Sequence, residues 1–246
     1  MNDTVGIVLC YYEQPDYLYE CVRSLLEQTR PPDEVVIVDD GSCLFPIEET
    51  VLDEFSYLPV RLLKQANEGV ANARNRGISE LKTSLIVTLD ADDLLAPDYL
   101  SVLSAAMVEK GVSIAYSDIR TFGIENKVFS HPPYSYETLK LGNYMVNASM
   151  MRREVWNDVR KANGEGYDTA IDRLGGYEDH LFWLEAGALG HTGVCVAEPL
   201  FYYRRHLHSK LSNARLVFPE IRMYMIEKMM RLYKIELPEL SDPGEP

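Results

Sequence analysis

Two short acidic runs hold most of the chemistry this sequence can offer. Asp39-Asp40-Gly41-Ser42 follows the apolar segment EVVIV, and Asp90-Ala91-Asp92-Asp93 follows LIVTL. Taken singly, each run has a structural reading: Asp40-Gly41 makes a turn and Asp93 caps a helix. Together they place five carboxylates on one edge, provided that the segments before them are strands of one sheet. Carboxylates crowded in this way repel and raise one another's pKa values, so a divalent cation is their natural neutraliser. The first apolar segment is not followed by G-x-G-x-x-G, and no G-x-x-x-x-G-K-[ST] occurs, so neither phosphate-cradling glycine loop is available. Phosphates would then be held by metal and basic side chains. Arg74 is one candidate, sharing an inward helical stripe with Val70, Ile78 and Leu81. A charge on that face must be paired or must meet a ligand. Internal pairing with an aspartate and contact with a phosphate or base are both open to it.

The elements that would position these residues alternate between two periods. VGIVLC at 5–10, EVVIVDD at 34–40, VRLLK at 60–64 and SLIVTLD at 84–90 read as buried strands. Pro15 opens a helix with Leu18, Cys21, Val22, Leu25 and Leu26 on one stripe, and Pro31-Pro32 ends it. Further helices are expected around 47–56, 68–81 and 97–110. Fully apolar strands separated by helices predict a parallel sheet covered on both faces, with ligands beyond the carboxyl ends of the strands. After Val112 the pattern loosens. Short strands are expected near 112–130, a turn at His131-Pro132-Pro133, a strand near 144–151 and a helix near 152–163. A glycine-rich loop runs through Gly164, Gly166, Gly175 and Gly176, and then come a helix from Glu178 and a strand near 192–204.

The composition is that of a globular protein: 246 residues, 46% hydrophobic and 25% charged. A net charge of −14 disfavours non-specific nucleic-acid binding. The longest apolar stretches are strand-sized, well short of the ~20 residues of a spanning helix, and the N-terminus has no basic region of a signal peptide. Cys10, Cys21, Cys43 and Cys195 lack CxxC spacing. They read as reduced core thiols of a cytoplasmic protein, with no zinc site.

The succession VGIVLCYYEQPDYLYECVRSLLEQT, EVVIVDDGS, ANEGVANARNRGI and TLDADD resembles family 2 glycosyltransferases, in order and in spacing. Tyr177-Glu178-Asp179 before Leu181-Phe182-Trp183-Leu184 is similar to that family's acidic catalytic pair, and Tyr203-Arg204-Arg205-His206 with Ser209 and Ser212 to its closing segment. The resemblance spans roughly residues 5–212. It implies an α/β, GT-A (Rossmann-like) single domain with a mostly parallel central sheet flanked by helices; the apolar pattern beyond it, which the resemblance does not cover, adds a C-terminal helical extension. Residues 1–93 would be the nucleotide-sugar-binding half, 94–212 the acceptor and catalytic half, and 213–246 a C-terminal helix with an acidic tail.

Carried over by position, the resemblance implies that Asp39 accepts hydrogen bonds from the donor's base and that Asp40 supports the loop or the ribose. Tyr11, Glu13, Asn67, Arg74 and Ala91 would line the nucleotide-sugar site, with Tyr11 stacking on the base. Asp90 would meet the ribose or metal-bound water. Asp92 and His206 would ligate Mn²⁺ or Mg²⁺, with His208 as the rival imidazole and a plain surface histidine as the bland alternative. Asp179 would be the catalytic base and Glu178 would orient the acceptor or the base; without the resemblance both are acids well placed in a helix's first turn. Gly175 and Gly176 would let backbone approach the sugar or form a turn. Trp156 and Trp183 read as core, and Asn147 and Ser149 as polar candidates near the acceptor.

The implied activity is metal-dependent, inverting transfer from a nucleotide-diphospho-sugar, with UDP favoured, to a hydroxyl of a saccharide, lipid-linked glycan or other acceptor. Surface polysaccharide or glycoconjugate synthesis would be its setting. A sugar-phosphate nucleotidyltransferase would carry a glycine-rich basic loop where this chain has YYEQPD. A phosphatase using a D-x-D nucleophile would need Thr or Val after the motif. A degenerate binding or scaffold protein would not be expected to keep Asp39, Asp92, Asp179 and His206 together. Residues 203–234 hold eight basic residues against Glu220 and Glu227. The apolar helix expected there from Phe218 would pack on the domain, form a homodimer, or touch an anionic membrane peripherally, at the inner membrane face.

Overall fold

Continuous apolar strands cannot face water on either side, and the computed structural model, which describes residues 3–48, 55–206 and 217–238, shows how they are covered. The strands are β1 (Val5–Tyr11), β2 (Glu34–Asp39), β3 (Val60–Lys64), β4 (Leu85–Asp90), β5 (Leu94–Leu95), β6 (Ile114–Gly123), β7 (Val128–Phe129), β8 (Met150–Arg152) and β9 (Gly193–Arg205). Among the described residues they form one nine-stranded sheet of order β3-β2-β1-β4-β8-β6-β9-β5, with β7 beside β6. The helices are α1 (Pro15–Leu26), α2 (Val70–Glu80), α3 (Tyr99–Lys110), α4 (Tyr136–Leu141), α5 (Arg153–Asn163), α6 (Thr169–Leu174), α7 (Glu178–Ala188) and α8 (Phe218–Tyr233).

β1 sends Ile7 and Leu9 into one core layer with Leu25, Ile37 and Leu103, and Val8 into the other with Val38, Ile78 and Phe182. Period-two alternation thus feeds two helix layers from one strand. The first four long strands pair in parallel, as expected. In the second half β8 runs antiparallel to both β4 and β6, and β9 is parallel to β6 but antiparallel to β5. The four residues between β6 and β7 are too few for a parallel crossover, and that pair is antiparallel.

Three expectations change. The strand expected near 144–151 is only Met150–Arg152, because residues 143–149 turn through side-chain contacts with the sheet edge. Two six-residue helices are unexpected: α6 lies within the stretch read as a glycine-rich loop, and α4 in a stretch assigned no element. Each starts on a side-chain cap, Ser135 accepting from Thr138 N and Asp168 from Ile171 N, but neither is long enough to show a period. Much of the helix expected around 47–56 lies outside the described residues, as do His208, Ser209, Ser212 and the acidic tail from Glu239. Of the four free cysteines Cys43 is exposed, not a core thiol.

The C-terminal helix packs inward. Phe218, Ile221, Met225 and Met229 are buried. Two of its cations are also turned inward: Arg222 donates to the carbonyls of Pro238 and Lys140 at 2.7 and 2.9 Å, and Lys228 is buried among carboxylates, whereas Arg231 and Lys234 are exposed. Among the described residues of this helix the cations therefore form no continuous surface stripe. Among the described residues no helix is long and apolar enough to cross a membrane.

α2 lies so close to the sheet that a Cβ on Gly77 would sit 2.3 Å from Val8 Cγ1. Gly77→Val is expected to cost about 2–3 kcal/mol through overpacking, measured by urea denaturation; an unchanged midpoint would contradict this close packing.

Candidate active site

Register places both acidic runs around the end of β1. Tyr11 pairs with Asp39 on one side and Cys10 with Asp90 on the other. Beyond these pairs the Asp40 amide bonds Tyr11 O at 2.9 Å and the Ala91 amide bonds Cys10 O at 3.0 Å. The two runs leave the sheet on the same edge.

On the β2 side the acids fold loops. Asp39 accepts from Ser42 N at 2.9 Å and Ile47 N at 3.1 Å. Asp40 accepts from Gln65 Nε2 at 2.7 Å, Glu68 N at 3.0 Å and Gly69 N at 2.9 Å, which gathers the chain before α2. Asn67, exposed, sits on that gathered loop, and Gly41 at φ 79° lets it approach: a Cβ there would be 2.4 Å from Asn67 N. Glu13 accepts from the amides of Cys43, Leu44 and Phe45 at 2.6, 2.9 and 2.8 Å, and these bonds lower its pKa. It is a clasp for that loop. Tyr11 does not stack on a base in this arrangement: it is 2% exposed, and its hydroxyl donates to Phe45 O. Being the last residue of a buried strand, it belongs to the core.

At the centre Arg74 is paired internally. One end of its guanidinium donates to Glu178 Oε1 at 2.6 Å, the other to Asp90 Oδ1 at 3.0 Å, and it lies 5.5 Å from the Tyr167 ring. Arg74 is 2% exposed and Glu178 7% exposed, so Arg74 meets carboxylates and Glu178 is held by Arg74. Asp90 also accepts from Asn147 Nδ2 at 2.9 Å. Asn147 thus serves the sheet edge, while Ser149 is buried and bonds Val146 O.

Asp179 is the next residue, partly exposed where Glu178 is not. Its oxygens accept from Asn143 Nδ2 at 3.1 Å and from the His180 amide at 2.7 Å. Burial, and then the Glu178 charge, push its carboxyl up to about 7. Asn143 carries no signal in the sequence, since the six-residue helix before it is too short to show a period. Gly175 and Gly176 have φ of 139° and 128° and make the turn before Glu178. Trp156 and Trp183 are core residues.

The third part of the edge depends on the two-residue strand β5. Leu94 and Leu95 pair with Tyr202 and Phe201, and the Arg204 amide bonds Asp93 Oδ1 at 2.9 Å. Arg204 lies between the rings of Tyr17 and Phe122, 4.3 Å from each, and donates to Asp92 O at 2.7 Å. These ties bring His206 Nε2 to 2.9 Å from Asp92 Oδ2. A cavity of about 410 Å³ opens beside them, lined by Gln14, Tyr17, Ile124, Arg205 and His206. Burial and the Asp90 charge raise the Asp92 pKa. One carboxylate and one imidazole suit Mg²⁺ or Mn²⁺ when substrate phosphates complete the shell. Among the described residues no group of three or more His, Cys, Asp or Glu could hold a metal alone.

The model of glycosyl transferase family 2 matches residues 6–173. The glycosyltransferase GlyG of Streptococcus pneumoniae is 27% identical over 228 residues, covering 83% of this chain and 72% of that protein. Chondroitin synthase of Escherichia coli is 27% identical over 217 residues, 86% of this chain but 30% of the synthase. The crystal structure of S. aureus TarS 1–349 in complex with UDP-GlcNAc superposes with a TM-score of 0.74 at 17% identity, covering 93% of this chain and 67% of that one. At that identity the likeness shows the shared GT-A fold.

Arg74→Met leaves Asp90 and Glu178 without their cation. A loss of about 3–5 kcal/mol is expected in urea unfolding, and Arg74→Lys should recover only part of it because an ammonium cannot fork between two carboxylates. Parental stability in Arg74→Met would refute the pairing.

Proposed function

The chain belongs to glycosyl transferase family 2 and is a glycosyltransferase; from there we propose that it transfers a sugar, with inversion, from a UDP-sugar to a hydroxyl of a saccharide or lipid-linked glycan. The observation that carries this reading is Asp179, a carboxyl near neutrality beside an ion-paired Glu178. A general base works best with a pKa near the working pH. The UDP-GlcNAc complex of TarS and the chondroitin synthase relative support a nucleotide-sugar donor and a polysaccharide setting.

In this reading the donor's base and ribose lie on the loops folded by Asp39, Asp40 and Glu13, with Asn67 beside them and Asp90 and Ala91 at the end of β4. Residues 1–93 are the donor half, 94–212 the acceptor half, and 213–246 an extension whose helix buttresses the second. Asp179 takes the proton of the acceptor hydroxyl as that oxygen attacks the anomeric carbon opposite the departing diphosphate. Asn143 fixes the carboxyl that receives it, and Glu178 keeps that carboxyl's affinity for a proton high. Asp92 and His206 would hold Mg²⁺ or Mn²⁺, whose charge offsets that of the leaving diphosphate.

Two outcomes are expected. The base limb of kcat/KM should rise with pH through about 7, since Asp179 acts only when deprotonated, and Asp179→Asn should keep nucleotide binding while losing at least a hundredfold in turnover; a pH-independent rate or an active Asp179→Asn would remove it from this role. In a thermal-shift screen of UDP-sugars and UDP, stabilisation should require Mn²⁺ or Mg²⁺, and Asp92→Ala should abolish the metal-dependent shift; equal shifts of the parent with and without metal would sink the metal assignment.

A further inference from the structure

Between α6 and α7 the chain turns through Gly175, Gly176 and Tyr177, the last at φ 66°. A tyrosine in the left-handed region is held there by its surroundings. This turn delivers Glu178 and Asp179, and its supports come from α8. The Phe218 ring lies 5.4 Å from the Tyr177 ring. Tyr224 donates to Asp168 Oδ2 at 2.8 Å, and the Lys228 ammonium bonds the same oxygen. Asp168 in turn caps α6 through Ile171 N at 2.8 Å.

Lys228 also lies 3.4 Å from Glu185 Oε1, on α7 two turns beyond Glu178, and 3.9 Å from Glu165 Oε1. Asp168 and Glu185 are 1% and 0% exposed. A single ammonium therefore lies between two buried carboxylates, one before the turn and one after it. At the far end of α6, Asp172 Oδ2 accepts from Ala71 N at 3.1 Å, on the helix that carries Arg74.

We propose that Lys228 is a positioning residue for sugar transfer: by bridging Asp168 and Glu185 it fixes α6 against α7, and with them the turn from which Asp179 works. The proposal rests on the reading of Asp179 as base. Burial pushes the Glu185 carboxyl up to about 7, with Lys228 the main influence opposing it, so the pair depends on this one cation. Without Lys228 two carboxylates would face each other out of water, and separation of the helices or proton uptake would relieve them. The partners of Lys228 all lie between residues 165 and 185, away from the loops that Asp39, Asp40 and Glu13 fold, so nucleotide binding should be spared.

The test compares the parent with Lys228→Met, Lys228→Arg, Tyr224→Phe and Asp179→Asn. UDP affinity is measured by calorimetry with Mn²⁺, and kcat by UDP release from the UDP-sugar giving the largest thermal shift. Lys228→Met should hold UDP within threefold of the parent while kcat falls at least tenfold, Lys228→Arg should restore at least half of the parental kcat, and Tyr224→Phe should lose two- to fivefold. A folded Lys228→Met with parental kcat overturns the proposal, as does a UDP affinity that falls in step with kcat. If Lys228→Met does not fold, Tyr224→Phe decides: parental kcat overturns the proposal, and lowered kcat at constant UDP affinity supports it. An active Asp179→Asn defeats the base reading itself, whereas an inactive Asp179→Asn beside a fully active Lys228→Met defeats only the role of Lys228.

Discussion

A buried guanidinium between two carboxylates joins the two halves of this protein. Arg74 and Asp90 come from the parallel half and Glu178 from the half that follows; Arg74 and Glu178 are buried, while Asp90 is partly open to solvent. One positive charge cannot balance two negative ones, so the cluster keeps a net negative charge. That residue of charge, added to burial, is what lifts the neighbouring Asp179 towards neutrality. The same cluster thus closes the fold and sets the proton affinity of the group beside it. Buried ion pairs contribute little net stability compared with apolar packing, but breaking one is costly, which makes Arg74 a residue that specifies an arrangement more than it strengthens one.

The acids along the sheet edge divide by what they accept. Asp39, Asp40 and Glu13 take backbone amides and so convert three loop segments into a fixed rim. Asp92 instead meets an imidazole. The excess of acids over bases in the sequence is therefore partly architecture: carboxylates replace the backbone partners that loops cannot give one another.

Much of this was legible from the chain alone. The first four long strands and the two acidic runs are encoded by local patterns, since a parallel sheet buried on both faces leaves continuous apolar runs, and the runs end where the strands end. The position of Arg74 on an inward stripe announced a buried charge without naming its partners, because Glu178 lies 104 residues away. Tyr11 was misread for a related reason: an aromatic at a strand's end looks available until the loop that covers it is known. Short elements were missed altogether. β5 has two residues and α6 six, too few to show any period, yet the first delivers His206 and the second leads into the turn before Asp179. Asn143 belongs to no pattern and is found only by the contact it makes.

The pairing of β5 with β9 has a further consequence, for the order in which the molecule can be built. Asp92 and His206 are separated by 114 residues, and closing so long a loop is slow and entropically costly until the intervening sheet has formed. A growing chain can complete the rim folded by Asp39, Asp40 and Glu13 once α2 and β4 have emerged, but the Asp92 and His206 pair has to wait for β9. During synthesis, the last quarter of the polypeptide decides when this edge of the sheet is complete.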